Sequence, residues 1–105
     1  MEQRSLLTAA RQALACLDLT SLNEADSAAD IAALCARAQT PFGLVAAVCV
    51  WPRFVAQARA ALPPGIKVAA VADFPDGALD LPRALADIAS IAQAGGDEVD
   101  VVLPY

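Results

Sequence analysis

Three aspartates stand in or beside short apolar runs, where a charged side chain is unusual. Asp18, Asp73 and Asp100 each lie within, or at the carboxyl end of, a run of the length of a buried strand. Ligands of parallel α/β proteins bind at the carboxyl ends of the strands, so the three carboxylates are expected to converge on one rim. Strand alternation places Asp100 on the face opposite to Val99 and Val101. A carboxylate there either transfers protons or is a structural group bonded to a neighbouring strand, and the residues alone leave both open.

A thiol and an aromatic pair lie near the end of another apolar run. Cys49 is either a reactive thiol or a small core side chain, and only Arg53 lies close enough in sequence to lower its pKa. Trp51 and Phe54 either line a ligand or pack at a junction between a strand and a helix.

Gly95-Gly96 precedes a strand and opens no helix, so it predicts a helix end and not a phosphate-binding loop.

The composition excludes several classes of function. The chain has no histidine and three widely spaced cysteines, so we expect no metal site, no cofactor, and reduced thiols. A net charge of −5 without a basic cluster argues against a nucleic-acid partner. The longest apolar run, 42–51, is too short to span a bilayer, and the N-terminus lacks the uninterrupted apolar stretch of a signal peptide. No membrane partner and a cytoplasmic location are therefore expected.

Helical and strand patterns alternate along residues 1–105, which predicts a single α/β domain. The ambiguous run at 15–20 can continue the first helix or form a short strand, and we interpret it as a strand. The first helix is predicted over 3–15, and the second begins at a cap at Asn23 and ends at Thr40. The third runs from Pro52 to the stop at Pro63-Pro64-Gly65, and the fourth runs from a cap at Asp80 to Gly95-Gly96. Further strands are predicted at 44–51, 67–74 and 98–104. Four parallel strands with an extra N-terminal helix form either a small open sheet or half of an eight-stranded barrel.

Four sequence blocks together resemble the N-terminal segment of 2-deoxyribose-5-phosphate aldolase. They are LDLTSLN at 17–23, AAVCVWPRF at 46–54, ADFPDG at 72–77 and GGDEVDVVLPY at 95–105. The resemblance implies a (β/α)8 TIM barrel in which the first block is the first strand, so the chain is expected to be a half-barrel of strands one to four. It also implies a class I aldolase that joins acetaldehyde to glyceraldehyde 3-phosphate, reversibly, through a lysine Schiff base.

The resemblance carries roles to five residues of this sequence. Asp100 matches the family's aspartate in the proton relay beside the Schiff-base lysine. Asp18, Thr20 and Leu22 match residues that line the substrate pocket, and Cys49 matches a pocket cysteine. The expected small-molecule partners are therefore an aldehyde and a sugar phosphate.

The sequence also departs from the family. Trp51 stands where tyrosine is common, and Asp73 and Asp76 replace residues that are often Asn and His. The Schiff-base lysine and the lysine that lowers its pKa lie on later strands of the family and have no counterpart here. The single lysine, Lys67, begins its strand and is expected at the opposite end from the rim, as a solvated structural residue. An imine-forming amine of depressed pKa is therefore missing.

Two hypotheses of different classes follow. The chain is either the front half of a deoxyribose-phosphate aldolase, inactive alone, or a self-assembling half-barrel without aldolase activity. A small flavodoxin-like binding domain is a distant third, because no Gly-rich or Ser/Thr-rich loop opens a helix.

An assembly is expected under either hypothesis. The first strand and the last strand, DEVDVVLPY, would be unpaired edges of a half-barrel, and inner positions such as Val48 or Val50 and Val102 would meet water. Pairing the last strand with the first strand of a second copy would close eight strands. We therefore expect a homodimer or larger homo-oligomer, with Tyr105 at its interface.

Overall fold

The computed structural model describes residues 3–105 as four helices, one 3₁₀ turn and six strands. The helices are α1 (Gln3–Ala15), α2 (Ala28–Arg37), α3 (Val55–Ala61) and α4 (Leu81–Gln93), and the 3₁₀ turn at Pro52–Phe54 leads into α3. The strands are β1 (Asp18–Thr20), β2 (Gln39–Thr40), β3 (Gly43–Leu44), β4 (Ala47–Val50), β5 (Lys67–Ala72) and β6 (Glu98–Val101). Among these residues no helix combines the length and the hydropathy needed to cross a membrane.

The main sheet has four parallel strands in the order β1-β4-β5-β6, with one helix in each connection. The prediction of four parallel strands is confirmed, and the ambiguous run at 15–20 contains the strand β1. The antiparallel pair β2–β3, which lies between α2 and β4, was not predicted from the sequence. Because β1 and β6 each have one neighbour, they are the edges of the sheet.

The second helix begins later than predicted. Ser27 caps α2 by accepting a bond from the Asp30 N–H, and the Asp30 carboxylate accepts one from the Ser27 N–H at 2.8 Å. The bonds that this carboxylate accepts from the Ser27 N–H and then from the Ser27 hydroxyl lower the pKa of Asp30. Asn23, the predicted cap, lies in a turn in which its N–H donates to Asp26. The capping box fixes the helix start because it satisfies two otherwise free backbone donors.

The last helix follows the predicted pattern. Asp80 caps α4 by accepting a bond from the Arg83 N–H at 3.1 Å, and Pro82 occupies the first turn. The helix ends at Gln93, and Gly95 follows in a left-handed conformation with φ of 93°. Glycine adopts this conformation without steric cost, so the predicted stop is confirmed.

The helices of the three connections pack on one face of the sheet. The core on this face combines alternate strand residues with apolar residues of α2, α3 and α4: Ile31, Leu34, Cys35, Val48, Val50, Val55, Ala58, Val68, Ala70 and Ile91. The expectation that Val48 or Val50 meets water on an inner face is therefore wrong, because both are fully buried under the helices. In β4 it is Ala47 and Cys49 that point to the other side.

The ends of the chain are less buried than their patterns suggested. Helix α1 forms as predicted, but none of its residues is buried, and Leu6 and Leu7 are exposed. Strand β6 has the apolar pattern of a buried strand, yet Val101 is 43% exposed. As an edge strand with one neighbour, β6 lacks the covering that a buried parallel strand requires.

Candidate active site

The face of the sheet opposite to the helices, here called the open face, brings together most of the predicted site residues. On β1, Asp18 and Thr20 lie beside Ala47 and Cys49 of β4. On β6, Asp100 lies beside Val71 of β5. Because side chains alternate along a strand, these residues share one face.

A buried thiol lies between the carboxylates of the open face. The Cys49 Sγ–H donates to Asp100 Oδ2 at 3.7 Å, and Cys49 is 4% exposed. Burial, then the charge and the hydrogen bond of Asp100, and then the charges of Asp18 and Glu98, raise the pKa of Cys49 to about 12. The thiol therefore stays protonated near neutral pH, and Cys49 is a small buried donor and not an activated nucleophile.

Three side chains form an apolar wall at the carboxyl end of this face. Leu22, Trp51 and Phe74 pack against the buried cluster of the open face, and the rings of Trp51 and Phe74 meet edge-on at 5.3 Å between centroids. The three residues follow β1, β4 and β5. The wall covers the Cys49 end of the face and lowers the access of water to it.

Two long-range bonds hold the loop after β1 against this wall. Trp51 Nε1–H donates to the Asn23 carbonyl at 3.0 Å, and Arg53 donates to the Glu24 carbonyl at 3.2 Å. The Arg53 guanidinium also lies 4.7 Å from the centroid of the Phe54 ring. Sequence reasoning left the role of Trp51 open, and no local pattern reveals a bond across 28 positions.

Asp73 does not join the other two aspartates. It is 3% exposed, has a positive φ of 56°, and its N–H donates to Asp87 at 3.1 Å. Its Oδ1 lies 3.7 Å from Arg83 Nη1, within ion-pair distance but too far for a hydrogen bond, so this oxygen has no hydrogen-bond partner.

The expected convergence of three aspartates on one rim is therefore wrong. Asp18 begins β1 and stands in register with Ala47 and, through it, with Lys67 at the amino ends of the strands, whereas Asp73 follows β5 but lies against Arg83. Asp18, Glu98 and Asp100 share the open face, and their charges act on Cys49. Positions 98 and 100 are two residues apart in one strand, so the sequence alone could have predicted that Glu98 lies on the same face as Asp100.

The only amine side chain of the chain is far from the wall. Lys67 is exposed and is the first residue of β5, four positions before Val71. At a rise of about 3.3 Å per residue, this places its Cα about 13 Å below that of Val71. Within residues 3–105 no group of three or more metal-ligating side chains is close enough to hold a metal ion.

Several of the proteins that this chain resembles are named deoxyribose-phosphate aldolase. The chain is 47% identical over 107 residues to the deoxyribose-phosphate aldolase of Agrobacterium fabrum (strain C58), which covers 100% of this chain and 41% of that protein. The resemblance to deoxyribose-phosphate aldolase is confirmed. The chain thus spans about two fifths of the length of this relative. No protein-family profile matches it.

Solved structures share the fold. A Coccidioides immitis protein assigned as a deoxyribose-phosphate aldolase has a TM-score of 0.73 and 26% identity, over 92% of this chain and 46% of that one. The tetrameric deoxyribose phosphate aldolase of Aeropyrum pernix has a TM-score of 0.74 and 22% identity, over 98% of this chain and 47% of that one. At 22% identity, the likeness to the Aeropyrum pernix protein concerns the fold alone.

Proposed function

We propose that this chain supplies the proton-transfer part of a deoxyribose-phosphate aldolase site, with Asp100 as the proton-relay residue. The observation that carries the proposal is the hydrogen bond of the Cys49 thiol to Asp100 on the open face, where Leu22 and Trp51 pack against the cluster that contains Cys49. The identity of 47% to an enzyme of this name supports it.

The geometry suits proton transfer during aldol cleavage and formation. These steps move a proton between carbon and a base and between a substrate hydroxyl and a base. Asp100 is exposed on the open face and can accept and return such a proton, while the Cys49 thiol donates to its Oδ2. Asp18 and Thr20 can bind substrate hydroxyl groups from β1, and Leu22 limits water at the rim. The substrate class is a short aldehyde and a sugar phosphate.

The isolated chain is inactive in this proposal. A class I aldolase needs an amine that forms an imine with the substrate carbonyl. Lys67 is exposed and lies at the amino end of β5, far from Asp100, so its amine does not reach the wall. The activity then depends on residues outside these 105 positions.

The sheet is one part of a (β/α) barrel in this proposal. Two observations support a barrel over a doubly wound sheet: the parallel strands follow one another in chain order without a reversal, and the helices of all three connections lie on one face. A doubly wound sheet carries helices on both faces. The TM-scores of 0.73 and 0.74 with two aldolases add to this support.

A second candidate function is assembly without aldolase activity. The two free strand edges and the exposed Leu103 and Tyr105 favour it. The homodimer expected from the sequence stays a prediction, and sedimentation equilibrium at micromolar concentration tests it.

The proposed function is tested by adding back the missing part. The chain is mixed with a polypeptide comprising the region of the Agrobacterium relative that it does not cover, and cleavage of 2-deoxyribose 5-phosphate is measured at saturating partner. We expect turnover with the pair and none with the chain alone. Asp100→Asn should lower kcat about 100-fold or more, while the exposed control Asp76→Asn stays within twofold. Turnover of the Asp100→Asn pair equal to that of the unmodified pair would remove Asp100 from the site.

A further inference from the structure

A cavity of about 270 Å³ lies between the turn at 73–81 and residues 101–104. Its walls are mostly apolar and include Leu81, Ala84 and Leu103. Cys49 and Asp100 are not among the lining residues, so the cavity is distinct from the thiol and carboxylate of the candidate active site. An apolar cavity of about 150 Å³ already admits benzene, so this one has room for a ring with a short substituent.

Backbone contacts fix the two walls of this cavity. The Gly77 N–H donates to the Asp73 carbonyl at 3.0 Å, which closes the turn. Gly77 approaches the Leu103 carbonyl so closely that no Cβ fits between them. On the strand side, the Val102 N–H donates to the Ala72 carbonyl at 3.0 Å. The cavity is therefore preformed, and a ligand that enters it does not have to order the turn.

Asp73 brings an unsatisfied carboxylate oxygen to the cavity. Asp73 lines the wall and is 3% exposed, and its Oδ1 is buried without a hydrogen-bond donor. An acceptor buried in this way costs free energy that a donor recovers. Asp80 also lines the cavity, but its Oδ1 accepts the Arg83 N–H and occupies the positive end of α4. The polar position left open is thus the Asp73 acceptor, which requires a donor and not an anion.

The charges around Asp73 favour a donor that is a cation. Arg83 Nη1 lies 3.7 Å from Asp73 Oδ1 and 3.5 Å from Asp76 Oδ1, so one positive charge is shared between two carboxylates. Arg83 Nη2 donates to the Phe74 carbonyl at 2.8 Å, which holds the guanidinium at that carbonyl. Asp87 lies on the other side, where its Oδ2 accepts the Asp73 N–H. Carboxylates therefore outnumber Arg83 here, and a charge-assisted bond to Oδ1 is stronger than a neutral one.

We propose that this cavity binds a small organic ammonium ion. The ammonium group donates to Asp73 Oδ1, and the apolar part of the ligand lies against Leu81, Ala84 and Leu103. An ammonium group is compact and carries three N–H donors, so it fits beside Arg83 without requiring a planar partner. The surrounding carboxylates repel an anion, and a purely apolar molecule leaves Oδ1 without a donor. The site involves none of the residues of the proposed aldolase function.

The test uses three probes of similar size and different charge: benzylammonium, benzyl alcohol and benzoate. Each is titrated at neutral pH into the ¹⁵N-labelled chain, and the amide shifts of Ala78 and Leu103, on the two walls, give Kd.

Three variants locate the binding. Asp73→Asn removes the charge at almost constant volume, and asparagine tolerates the left-handed backbone at this position. Asp76→Asn is the matched control, because it removes the same charge from an exposed partner of Arg83 that does not line the cavity. Ala84→Leu fills the cavity and changes no charge. Circular dichroism checks that each variant is folded.

We expect benzylammonium to bind at least about tenfold more tightly than benzyl alcohol, and benzoate to leave the amide shifts unchanged. Benzylammonium should bind at least about tenfold more weakly to Asp73→Asn, and its Kd for Asp76→Asn should stay within about threefold of that of the unmodified chain. Ala84→Leu should abolish the shifts. Equal affinity of benzylammonium and benzyl alcohol for the unmodified chain would overturn the proposal, as would the absence of any benzylammonium binding. Benzylammonium shifts that persist unchanged in Asp73→Asn or in Ala84→Leu would place the binding outside the cavity and would also overturn it.

Discussion

The carboxylate of Asp97 should hold β6, and hence Asp100, in place. Asp97 Oδ2 accepts bonds from Arg59 at 2.8 Å and from the Val68 N–H at 2.9 Å. Arg59 also donates to the carbonyls of Pro63 and Ile66. Asp97 therefore ties the start of β6 to β5 and to the loop that precedes it.

The expected cost of removing this carboxylate follows from these contacts. In Asp97→Ala the N–H of Val68, a fully buried residue, loses its acceptor, which costs about 1–3 kcal/mol. The ion pair adds only about 0.5 kcal/mol, because Arg59 and Asp97 are 27% and 32% exposed and solvent screens them. We expect a total loss of about 2 kcal/mol in the free energy of unfolding. With a slope of about 1–1.5 kcal/mol per M for a chain of this size, the urea midpoint falls by about 1.5 M.

Asp97→Asn is the matched control. Its amide oxygen can still accept the bond from the Val68 N–H, so the loss should stay below about 1 kcal/mol. Urea titrations followed by circular dichroism compare the three proteins. A midpoint of Asp97→Ala within about 0.3 M of the unmodified chain would show that this contact does not support β6.

Three further predictions concern the thiols and a tight turn. At pH 8 we expect iodoacetamide to label the exposed Cys16 well before the buried Cys49, as peptide mass spectrometry would show; equal rates would contradict the burial. Folding raises the pKa of Cys49 from 9.0 to about 12, so above pH 9 the folded state retains a proton that the unfolded state loses, and the free energy of unfolding should fall as the pH rises. Urea midpoints measured across this pH range should fall less in Cys49→Ala than in the unmodified chain. Gly77→Ala should cost about 2 kcal/mol or more, because φ is +62° and the new Cβ would clash with the backbone oxygen of Leu103, whereas Gly65→Ala, whose new Cβ would lie 3.4 Å from the flexible side chain of Leu44, should cost less.

The strands and most helix ends were predictable because their signals are local. Asp80, Pro82 and Gly95 act on the backbone within a few residues, so the bounds of α4 could be read from the sequence. The start of α2 was missed because two capping residues compete within five positions, and only the Ser27 pattern includes an acidic partner three residues later.

The side of the sheet that each residue faces was only partly predictable. Charged positions such as Asp100 mark the face of β6, and the structure places that residue beside Cys49 as alternation suggested. In β4 every residue is apolar and buried, so the pattern could not separate Val48 from Cys49.

Contacts between distant segments were not predictable at all. The bond from Trp51 to Asn23 depends on the packing of two loops. Asp73 departs from the expected rim because its left-handed backbone and its ion pair with Arg83 turn it toward α4. Neither feature has a signature in the order of the residues.

The most direct measurement asks whether any amine of this chain forms an imine with an aldehyde substrate. The chain is incubated with acetaldehyde and then with borohydride, and adducts are mapped by mass spectrometry, with Lys67→Arg as the control. We expect no site-specific adduct on Lys67 and no turnover by the chain alone, because Lys67 is exposed and distant from Asp100. When a polypeptide comprising the region of the Agrobacterium relative that this chain does not cover is added, we expect the adduct on that polypeptide. A stoichiometric adduct on Lys67, with turnover of 2-deoxyribose 5-phosphate that is lost in Lys67→Arg, would contradict the proposal that the chain carries only the proton-transfer part of the site.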